Sequence, residues 1–311
     1  MIDYSIVICT FNQKQTLGMA LDTLRIQIKQ AKIFEIVITD DCSTDGTDEF
    51  IKKLRYPIFL KYSRGEKNQG RAVNRNRGFE KASGKKVICI DGDMVPGPGF
   101  IEEHLGGWGE FPSAVILGGR RFPPDMEMDR LAKYSYSRGR LAMPHGAKIP
   151  ERLFTSDNFS IDKEIFMELG EFDTAFASWG GEDTDFGLRL KKKGIPLSYI
   201  PEAWCYHHHR KSLDEMASEF ERFGQSGFPL LVTKYPEEII YRDGWLVGLP
   251  DARAGIGKKA IAKLLMPFTI SSVLRLLTGL GKFQQGRYSC DFIYDWLFYG
   301  HLARGYRRSQ K

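Results

Sequence analysis

The amino-acid sequence predicts an α/β fold: a Rossmann-like, mixed but mostly parallel sheet flanked by helices, with a helical C-terminal extension. Three observations predict this class. The first third of the chain alternates short apolar runs with helical patterns. Those runs are continuously apolar, as in parallel strands buried on both faces. Three of them end in polar clusters. Strand–helix–strand alternation of this kind implies right-handed crossovers within one sheet.

Each element of the first 95 residues has its own signal. The β-branched, apolar run Tyr4–Cys9 predicts a buried strand. Apolar residues at helical spacing, from Leu17 to Ile28, predict a helix over Thr16–Gln30. Similar patterns predict strands at Phe34–Thr39, Ile58–Tyr62 and Lys86–Ile90, and helices at Asp48–Leu54 and Gly70–Ala82.

The middle of the chain is less regular. It predicts strands at Ser113–Gly119, Leu153–Ile161 and Ile195–Pro201, and a helix at Lys163–Leu169. A further helix begins within the acidic stretch 179–185 and ends in three lysines before Gly194, a charge order that suits the helix dipole. The segment Arg120–Pro150 is rich in Arg, Met and Pro, and we predict a mobile loop there.

Composition bounds the function. The 311 residues suffice for one large or two small domains. We predict a catalytic domain at 1–210, with a nucleotide-binding half at 1–95 and an acceptor half at 96–210, and a mainly helical extension at 211–311. The net charge of +6 is dispersed, which argues against a nucleic-acid partner. Five cysteines without a CxxC spacing argue against a zinc ribbon or a disulfide framework.

The sequence lacks signals for export and membrane insertion. No signal peptide is visible, and no apolar run approaches the roughly 20 residues of a membrane-spanning helix. We therefore expect a cytoplasmic protein. Basic and aromatic residues in the C-terminal region are compatible with peripheral contact to the inner face of the membrane, or equally with helices packed on the catalytic domain or on a second copy.

Polar clusters follow three of the predicted strands. They are Thr10-Phe11-Asn12, Asp40-Asp41 and Asp91-Gly92-Asp93. In open α/β sheets, ligands bind beyond the carboxyl ends of the strands. These clusters therefore predict a ligand site at one edge of the sheet.

The carboxylates of these clusters suit specific ligands. Asp91 and Asp93 are hard oxygen donors two positions apart, suited to Mg²⁺ or Mn²⁺ that binds phosphate oxygens, although Asp-Gly-Asp also occurs in ordinary turns. Asp40 and Asp41 are candidates to accept hydrogen bonds from a base or sugar hydroxyl, with an Asx-turn or helix cap as the alternative.

Two helices carry further candidates. Arg71 and Arg75 are four residues apart and share a helix face, where guanidinium groups suit a diphosphate; a solvated basic face is the alternative. Glu182 and Asp183 precede a helix and are candidate general bases, or helix caps.

The histidine run 207–209 follows a predicted strand. One of the three is a candidate ligand of the cation at Asp91 and Asp93. His207 and His209 share a strand face, so the choice between these two stays open.

Five motifs in order resemble those of family 2 glycosyltransferases, whose fold is called GT-A. The resemblance covers about residues 3–210. It is carried by these segments: Ile6–Asn12, Ile36–Thr47, Gly70 with Arg75–Gly78, Ile90–Asp93, and Gly170–Asp173 with Trp179–Phe186. The last segment is similar to a motif shared with galactosyltransferases and polypeptide GalNAc-transferases.

The resemblance implies roles for individual residues. Thr10, Phe11 and Asp41, with Asp40 nearby, are expected to hold the uridine of a UDP-sugar, and Asp91 its ribose or sugar. Asp93 and His207 are expected to bind Mn²⁺ or Mg²⁺. Asp183 is expected to deprotonate the acceptor, with Glu182 orienting it. The expected nucleotide-sugar site also includes Asn12, Arg71, Arg75, Gly92, Asn158, Ser160, Trp179 and Gly181.

The implied activity is an inverting, metal-dependent transfer of a sugar from a UDP-sugar to an acceptor hydroxyl, in polysaccharide or glycoconjugate synthesis. The acceptor is expected to be a saccharide, a lipid-linked saccharide or a peptide. A peptide or protein glycosyltransferase is one alternative. A nucleotidyltransferase and a non-catalytic nucleotide-sugar-binding protein are others. Homo-oligomers are compatible with all of these.

Overall fold

The computed structural model describes residues 2–28, 34–56, 59–242, 276, 278–279 and 291–310. Contacts divide the chain into two compact units. The first comprises 1–127, 135–177 and 183–209, and the second comprises 128–134, 178–182 and 210–311. The domain division given above stays a prediction.

The first unit is built on an eight-stranded mixed sheet. Six of the eight described strands run in one direction, and the spatial order is β3-β2-β1-β4-β7-β6-β8-β5. This confirms the predicted α/β class with a mostly parallel sheet. The strands are β1 Tyr4–Thr10, β2 Phe34–Asp40, β3 Phe59–Arg64, β4 Lys86–Asp91, β5 Met94–Pro96, β6 Val115–Arg121, β7 Asn158–Asp162 and β8 Leu197–His207.

Helices cover both faces of this sheet. Alternate residues of β1 enter different apolar clusters: Ile6 and Ile8 pack in one, Val7 and Cys9 in the other. Continuously apolar strands are therefore required here. The helices are α1 Lys14–Ile28, α2 Thr47–Lys53, α3 Arg71–Lys81, α4 Phe100–Glu110, α5 Arg130–Tyr136, α6 Lys163–Glu168 and α7 Glu182–Lys192. Of these helices, α5 belongs mainly to the second unit.

Two predictions about the middle of the chain are wrong. The segment Arg120–Pro150 is not simply a loop, because it contains α5 and a 3-10 turn at Gly139–Ala142. The strand predicted from Leu153 begins only at Asn158, because Glu151–Leu153 forms a 3-10 turn. Helix α4 and strand β5 had no sequence prediction.

In the second unit, α8 Leu213–Gln225, α9 Gly227–Lys234, α10 Pro236–Arg242 and α11 Asp291–Ser309 are helical. Helix α8 begins with a capping box formed by Ser212 and Glu215. Helices α8 and α11 are joined by Glu221, whose carboxylate accepts from His301, Arg304 and Arg308. Most of the predicted membrane-contacting segment 255–311 lies outside the described residues. Among the helices that are described, none is both long and apolar enough to cross a membrane.

Candidate active site

The carboxyl ends of β1, β2 and β4 meet at one edge of the sheet. Thr10 pairs with Asp40, and Cys9 pairs with Asp91. The backbone amide of Asp41 donates to the Thr10 carbonyl at 3.0 Å, and that of Gly92 donates to the Cys9 carbonyl at 2.8 Å. The structure therefore brings the three predicted polar clusters together.

Gly92 is required by close packing. A Cβ placed on it would lie 2.6 Å from Oε1 of Gln13 and 2.8 Å from Cβ of Thr10. Both are closer than van der Waals contact permits. A side chain at this position would push the two aspartates beside it away from β1.

Asp91 is held by Arg75, in a way the sequence did not indicate. Nη2 of Arg75 donates to both oxygens of Asp91, at 2.8 and 3.1 Å. The Arg75 side chain is only 3% exposed, and its guanidinium lies over the Phe172 ring at 5.7 Å. Burial raises the pKa of Asp91, and Asp93 adds to this, while Arg75 opposes it. Arg75 is thus an internal partner of Asp91, and its contact with a nucleotide stays a prediction. Arg71, one turn earlier, is exposed.

Asp93 lies beside His207. Oδ2 of Asp93 is 3.6 Å from Nε2 of His207, and the backbone amide of His208 donates to the Asp93 carbonyl at 2.9 Å. Oδ1 of Asp93 is buried and accepts no hydrogen bond from the described residues. Burial raises the pKa of Asp93, but the adjacent imidazole of His207, with smaller effects of His209 and Arg71, outweighs burial and lowers the pKa overall.

A second group of residues supports His207, and sequence reasoning missed all of it. The Tyr136 hydroxyl is 2.9 Å from Nδ1 of His207. The Arg120 guanidinium lies over the Tyr136 ring at 4.9 Å. Asp157 pairs with both Arg120 and Arg140, at 3.4 and 2.7 Å, and these arginines keep its pKa well below its usual range despite burial. No local spacing signals this group, because its members come from separate elements.

The acids at the end of β2 are bound by the protein itself. Asp40 is fully buried; its Oδ1 accepts from the amide and hydroxyl of Ser43, and its Oδ2 accepts from the Tyr62 hydroxyl at 2.8 Å. Asp41 is 3% exposed and accepts from the backbone amides of Gln69 and Gly70, at 2.9 and 2.8 Å. Both carboxylates thus hold neighbouring loops in place.

The residues after β1 present one ring to solvent. Phe11 is 42% exposed, whereas Thr10 is buried. Asn12 has a φ of 54°, its side-chain oxygen accepts from the Thr44 backbone amide at 2.7 Å, and its backbone amide donates to the Ser43 hydroxyl at 2.8 Å. Asn12 therefore ties this loop to the β2 loop.

Asn158 and Ser160 do not reach the site. Both are fully buried, and they contact the two ring nitrogens of His104, at 3.0 and 2.9 Å. The Asn158 amide also donates to the carbonyls of Gly119 and Ala203. Their polar atoms are therefore used within the core, which does not favour the expectation that they line a sugar pocket; that role stays a prediction. Burial lowers the pKa of His104 to about 4, so this network is neutral.

Asp183 lies in the first turn of α7 and is half-buried. Its carboxylate accepts from the Ser156 hydroxyl at 2.6 Å and from the Ser156 amide at 3.3 Å. Ser156 is immediately before Asp157, so Asp183 and the arginine-bound Asp157 are anchored on the same short segment.

The other residues of this motif belong to the second unit. Trp179 packs against Phe220 and Phe223, and the Lys211 ammonium lies over its ring at 5.3 Å. Gly181 has a φ of 108°, which disfavours any other residue. Glu182 is 5% exposed.

The acidic edge fits a divalent cation in part. Within the described ranges, no three His, Cys, Asp or Glu side chains converge in a way that could hold a metal ion. Asp93 and His207 nevertheless offer one carboxylate oxygen, Oδ2, and one imidazole nitrogen, Nε2, that lie 3.6 Å apart. The other oxygen of Asp93, Oδ1, is buried and lacks a hydrogen-bond donor among the described residues. Cations of this type complete their coordination with substrate oxygens and water.

Two family models match the chain. The model described as glycosyl transferase family 2 matches residues 5–170, more than half of the chain, and the model described as the N-terminal domain of galactosyltransferase matches residues 140–211.

Similar curated proteins are longer than this chain. A validoxylamine A glucosyltransferase from Streptomyces hygroscopicus subsp. jinggangensis (strain 5008) is 28% identical over 233 residues, which cover 64% of this chain and 54% of that protein. A chondroitin synthase from Pasteurella multocida (strain Pm70) is 27% identical over 274 residues, which cover 78% of this chain and 28% of that protein. The chain thus spans about half the length of the first relative.

Solved structures share the fold. A mannosyltransferase from Pyrobaculum calidifontis, in complex with GDP-Man and Mn²⁺, has a TM-score of 0.63 at 14% identity, covering 99% of this chain and 86% of that one. TarS 1-349 from S. aureus, in complex with UDP-GlcNAc, has a TM-score of 0.56 at 16% identity, covering 99% and 92%. At such identities the likeness shows the fold, which is that of GT-A glycosyltransferases.

Proposed function

The chain belongs to glycosyl transferase family 2, and we propose that it is an inverting transferase that moves a sugar from a UDP-sugar to an acceptor hydroxyl. The observation that carries the proposal is the edge where Asp91 and Asp93 leave β4. There the Oδ1 atom of Asp93 is buried without a hydrogen-bond donor among the described residues, and the Oδ2 atom of the same carboxylate lies 3.6 Å from Nε2 of His207. A buried acceptor left without a donor is costly unless a ligand satisfies it.

Asp93 and His207 are the residues proposed to hold Mn²⁺ or Mg²⁺. The Mn²⁺ in the complex of the Pyrobaculum mannosyltransferase supports a divalent cation. When bound, such a cation stabilises the charge on a departing diphosphate. His207 is favoured over His209 because its Nε2 lies 3.6 Å from Asp93.

Asp183 is the proposed general base. Ser156 donates to both of its oxygens, which fixes the carboxylate at the start of α7. In the proposed step the acceptor oxygen bonds to the anomeric carbon while the bond from that carbon to the diphosphate breaks. The hydroxyl proton passes to Asp183, and the configuration at the anomeric carbon inverts. Glu182, the preceding residue, is proposed to orient Asp183.

Donor recognition is proposed for the β1 and β2 ends. The exposed Phe11 ring offers a surface for a base, and Thr10, Asn12, Asp40 and Asp41 shape the loops around it. The UDP-GlcNAc complex of TarS supports uridine as the nucleoside of the donor. The GDP-Man complex of the mannosyltransferase makes guanosine the competing nucleoside.

A saccharide or glycoconjugate is the proposed acceptor class. The glucosyltransferase and chondroitin synthase relatives support a saccharide product. Contact with an anionic membrane through residues 255–311 stays a separate prediction. Binding of the intact protein, but not of a 255–311 deletion, to anionic liposomes would support it.

The first experiment is a thermal-shift panel with UDP, GDP, CDP and dTDP, each with and without Mn²⁺. Ligands that bind the native state raise its Tm by mass action. A shift with UDP that requires Mn²⁺ supports the proposal; a shift with GDP alone changes the donor. The absence of any shift argues against a nucleotide-sugar enzyme.

The Asp183→Asn variant tests the base. We expect it to bind UDP and Mn²⁺ as the parent does and to transfer sugar about 100-fold to 10,000-fold more slowly. Ser156→Ala is the companion variant, because it keeps the carboxylate and removes only the hydroxyl that orients it. Transfer at the parental rate by Asp183→Asn would refute the assignment.

A further inference from the structure

His207 is engaged on both sides of its ring. Nε2 lies 3.6 Å from Oδ2 of Asp93, and Nδ1 lies 2.9 Å from the Tyr136 hydroxyl. The two nitrogens therefore face different partners. A neutral imidazole has one N–H and one lone pair, and either nitrogen can carry the proton.

We propose that Tyr136 is a positioning residue that sets the ring orientation and tautomer of His207, so that Nε2 presents its lone pair toward the cation site at Asp93. The inference rests on the proposed function, because it concerns the ligand assigned there. In this arrangement the Tyr136 oxygen accepts a hydrogen bond from Nδ1–H. Metal-binding histidines nearly always donate their other ring N–H to an oxygen acceptor, most often a carboxylate, a backbone carbonyl or water, and here the Tyr136 oxygen occupies that position.

Tyr136 is itself fixed by its surroundings. Its ring meets Phe122 edge to face, with centroids 5.4 Å apart, and the Arg120 guanidinium lies over it at 4.9 Å. Arg120 pairs with Asp157, which is also bound to the buried Arg140. These contacts hold the Tyr136 ring in place and therefore fix the position of its hydroxyl.

Asp157, which pairs with Arg120, also contacts the end of β4 beside the proposed cation site. The Asp157 carbonyl accepts a hydrogen bond from the Asp91 amide at 3.2 Å, at the end of β4. Asp157 thus links the strand that carries the aspartates to the arginine and tyrosine that hold His207. A displacement of His207 relative to Asp93 would require this network to rearrange.

The test is Tyr136→Phe, which keeps the ring and its contacts and removes only the hydroxyl oxygen. Tyr206→Phe is the matched control. Tyr206 adjoins His207 on β8, and its hydroxyl makes no hydrogen bond within the described part of the chain. Free Mn²⁺ is counted by electron paramagnetic resonance during titration of each protein in saturating UDP.

We expect Mn²⁺ affinity to fall about 10-fold in Tyr136→Phe and to stay unchanged in Tyr206→Phe. UDP affinity without Mn²⁺ should be equal in all three proteins. Parental Mn²⁺ affinity in Tyr136→Phe would overturn the inference while leaving the proposed function intact. Absence of Mn²⁺ binding by the parent would overturn both.

A second measurement needs no activity. Nitrogen-15 NMR of the histidine rings, recorded with saturating UDP and the diamagnetic cation Mg²⁺, reports the tautomer, and His207→Gln assigns the signal. We expect the parent to carry the proton on Nδ1 of His207, and Tyr136→Phe to show a larger share of the Nε2–H form at the same Mg²⁺ concentration. A parent in the Nε2–H form would overturn the inference.

Discussion

Asp40 and Asp41 end β2 in the same way that Asp91 and Asp93 end β4, yet the two pairs are surrounded differently. The β2 pair accepts hydrogen bonds from Ser43, Tyr62 and two backbone amides. In the β4 pair, Asp91 accepts hydrogen bonds from one described side chain, that of Arg75. The buried Oδ1 of Asp93 accepts no hydrogen bond from the described residues.

The difference separates structural from ligand-binding carboxylates. A buried carboxylate with donors on both oxygens stabilises the fold through hydrogen bonds of about 1.5–3 kcal/mol each. A buried oxygen without a donor costs free energy until a ligand supplies the missing contact. The β2 pair is therefore satisfied within the fold, whereas we propose that Asp93 belongs to the binding surface.

Asp93→Ala gives the largest expected effect on function. We expect it to abolish Mn²⁺-dependent UDP binding and to slow transfer about 1,000-fold or more, because a bound cation contributes several kcal/mol to charge stabilisation. The Tm without ligand should change little, because the substitution removes both the buried oxygen that lacks a donor and the oxygen that lies beside His207. Titration calorimetry and a melting curve measure both. A large drop in Tm would place Asp93 with the framework instead.

Arg75→Met gives the largest expected effect on stability. It leaves the Asp91 carboxylate without its partner, and breaking a buried ion pair costs about 3–5 kcal/mol. Arg71→Met, on the exposed side of the same helix, is the control and should leave the free energy of unfolding nearly unchanged. Urea unfolding of both compares them. Equal stability of the two variants would contradict the internal role of Arg75.

Asp40→Asn is expected to lower the free energy of unfolding by about 2 kcal/mol, because the two Ser43 donors lose a charged acceptor. The Mn²⁺ affinity of the folded protein should not change. Asp40→Asn and Asp93→Ala can then be compared directly. We expect Asp40→Asn to lose stability and keep its Mn²⁺ affinity, and Asp93→Ala to keep its stability and lose Mn²⁺ binding. A parallel loss of Mn²⁺ affinity in Asp40→Asn would end the distinction between the two pairs.

His145→Gln gives the smallest expected effect on stability, because His145 lies on the surface beside a third acidic pair, Glu110 and Glu202. Hydrogen bonds from Glu202 and then Glu110 raise the pKa of His145 above its ordinary value of 6.5. The stabilisation is therefore full below pH 6.5 and is lost as the pH rises through the raised pKa. We expect His145→Gln to cost about 0.5 kcal/mol or less at pH 5.5, because the groups are exposed, and nothing at pH 9. Urea unfolding at the two pH values measures this. A larger cost at pH 9 would contradict the sign.

Local patterns explain which elements were predictable. The strands of the first third, with their continuous apolar runs, lie where the sequence places them. Helix α4 gave no signal because it contains Gly106, Gly107 and Gly109, which are weak helix formers. Gly107 is there for packing, since a Cβ would meet Ile116 and Ile200 at 3.1–3.4 Å. Strand β5 has only three residues, too few for a pattern.

The sequence by itself determined the fold class, the polar ends of β1, β2 and β4, and the family. These follow from hydrophobic period and residue order, which act over short stretches of chain. Only the tertiary structure decided which carboxylates the protein satisfies itself, that Arg75 faces inward, and that Asn158 is part of the core. It also decided that Tyr136 meets His207. Those outcomes depend on partners as distant in sequence as Tyr136 and His207, 71 positions apart, which no local pattern encodes.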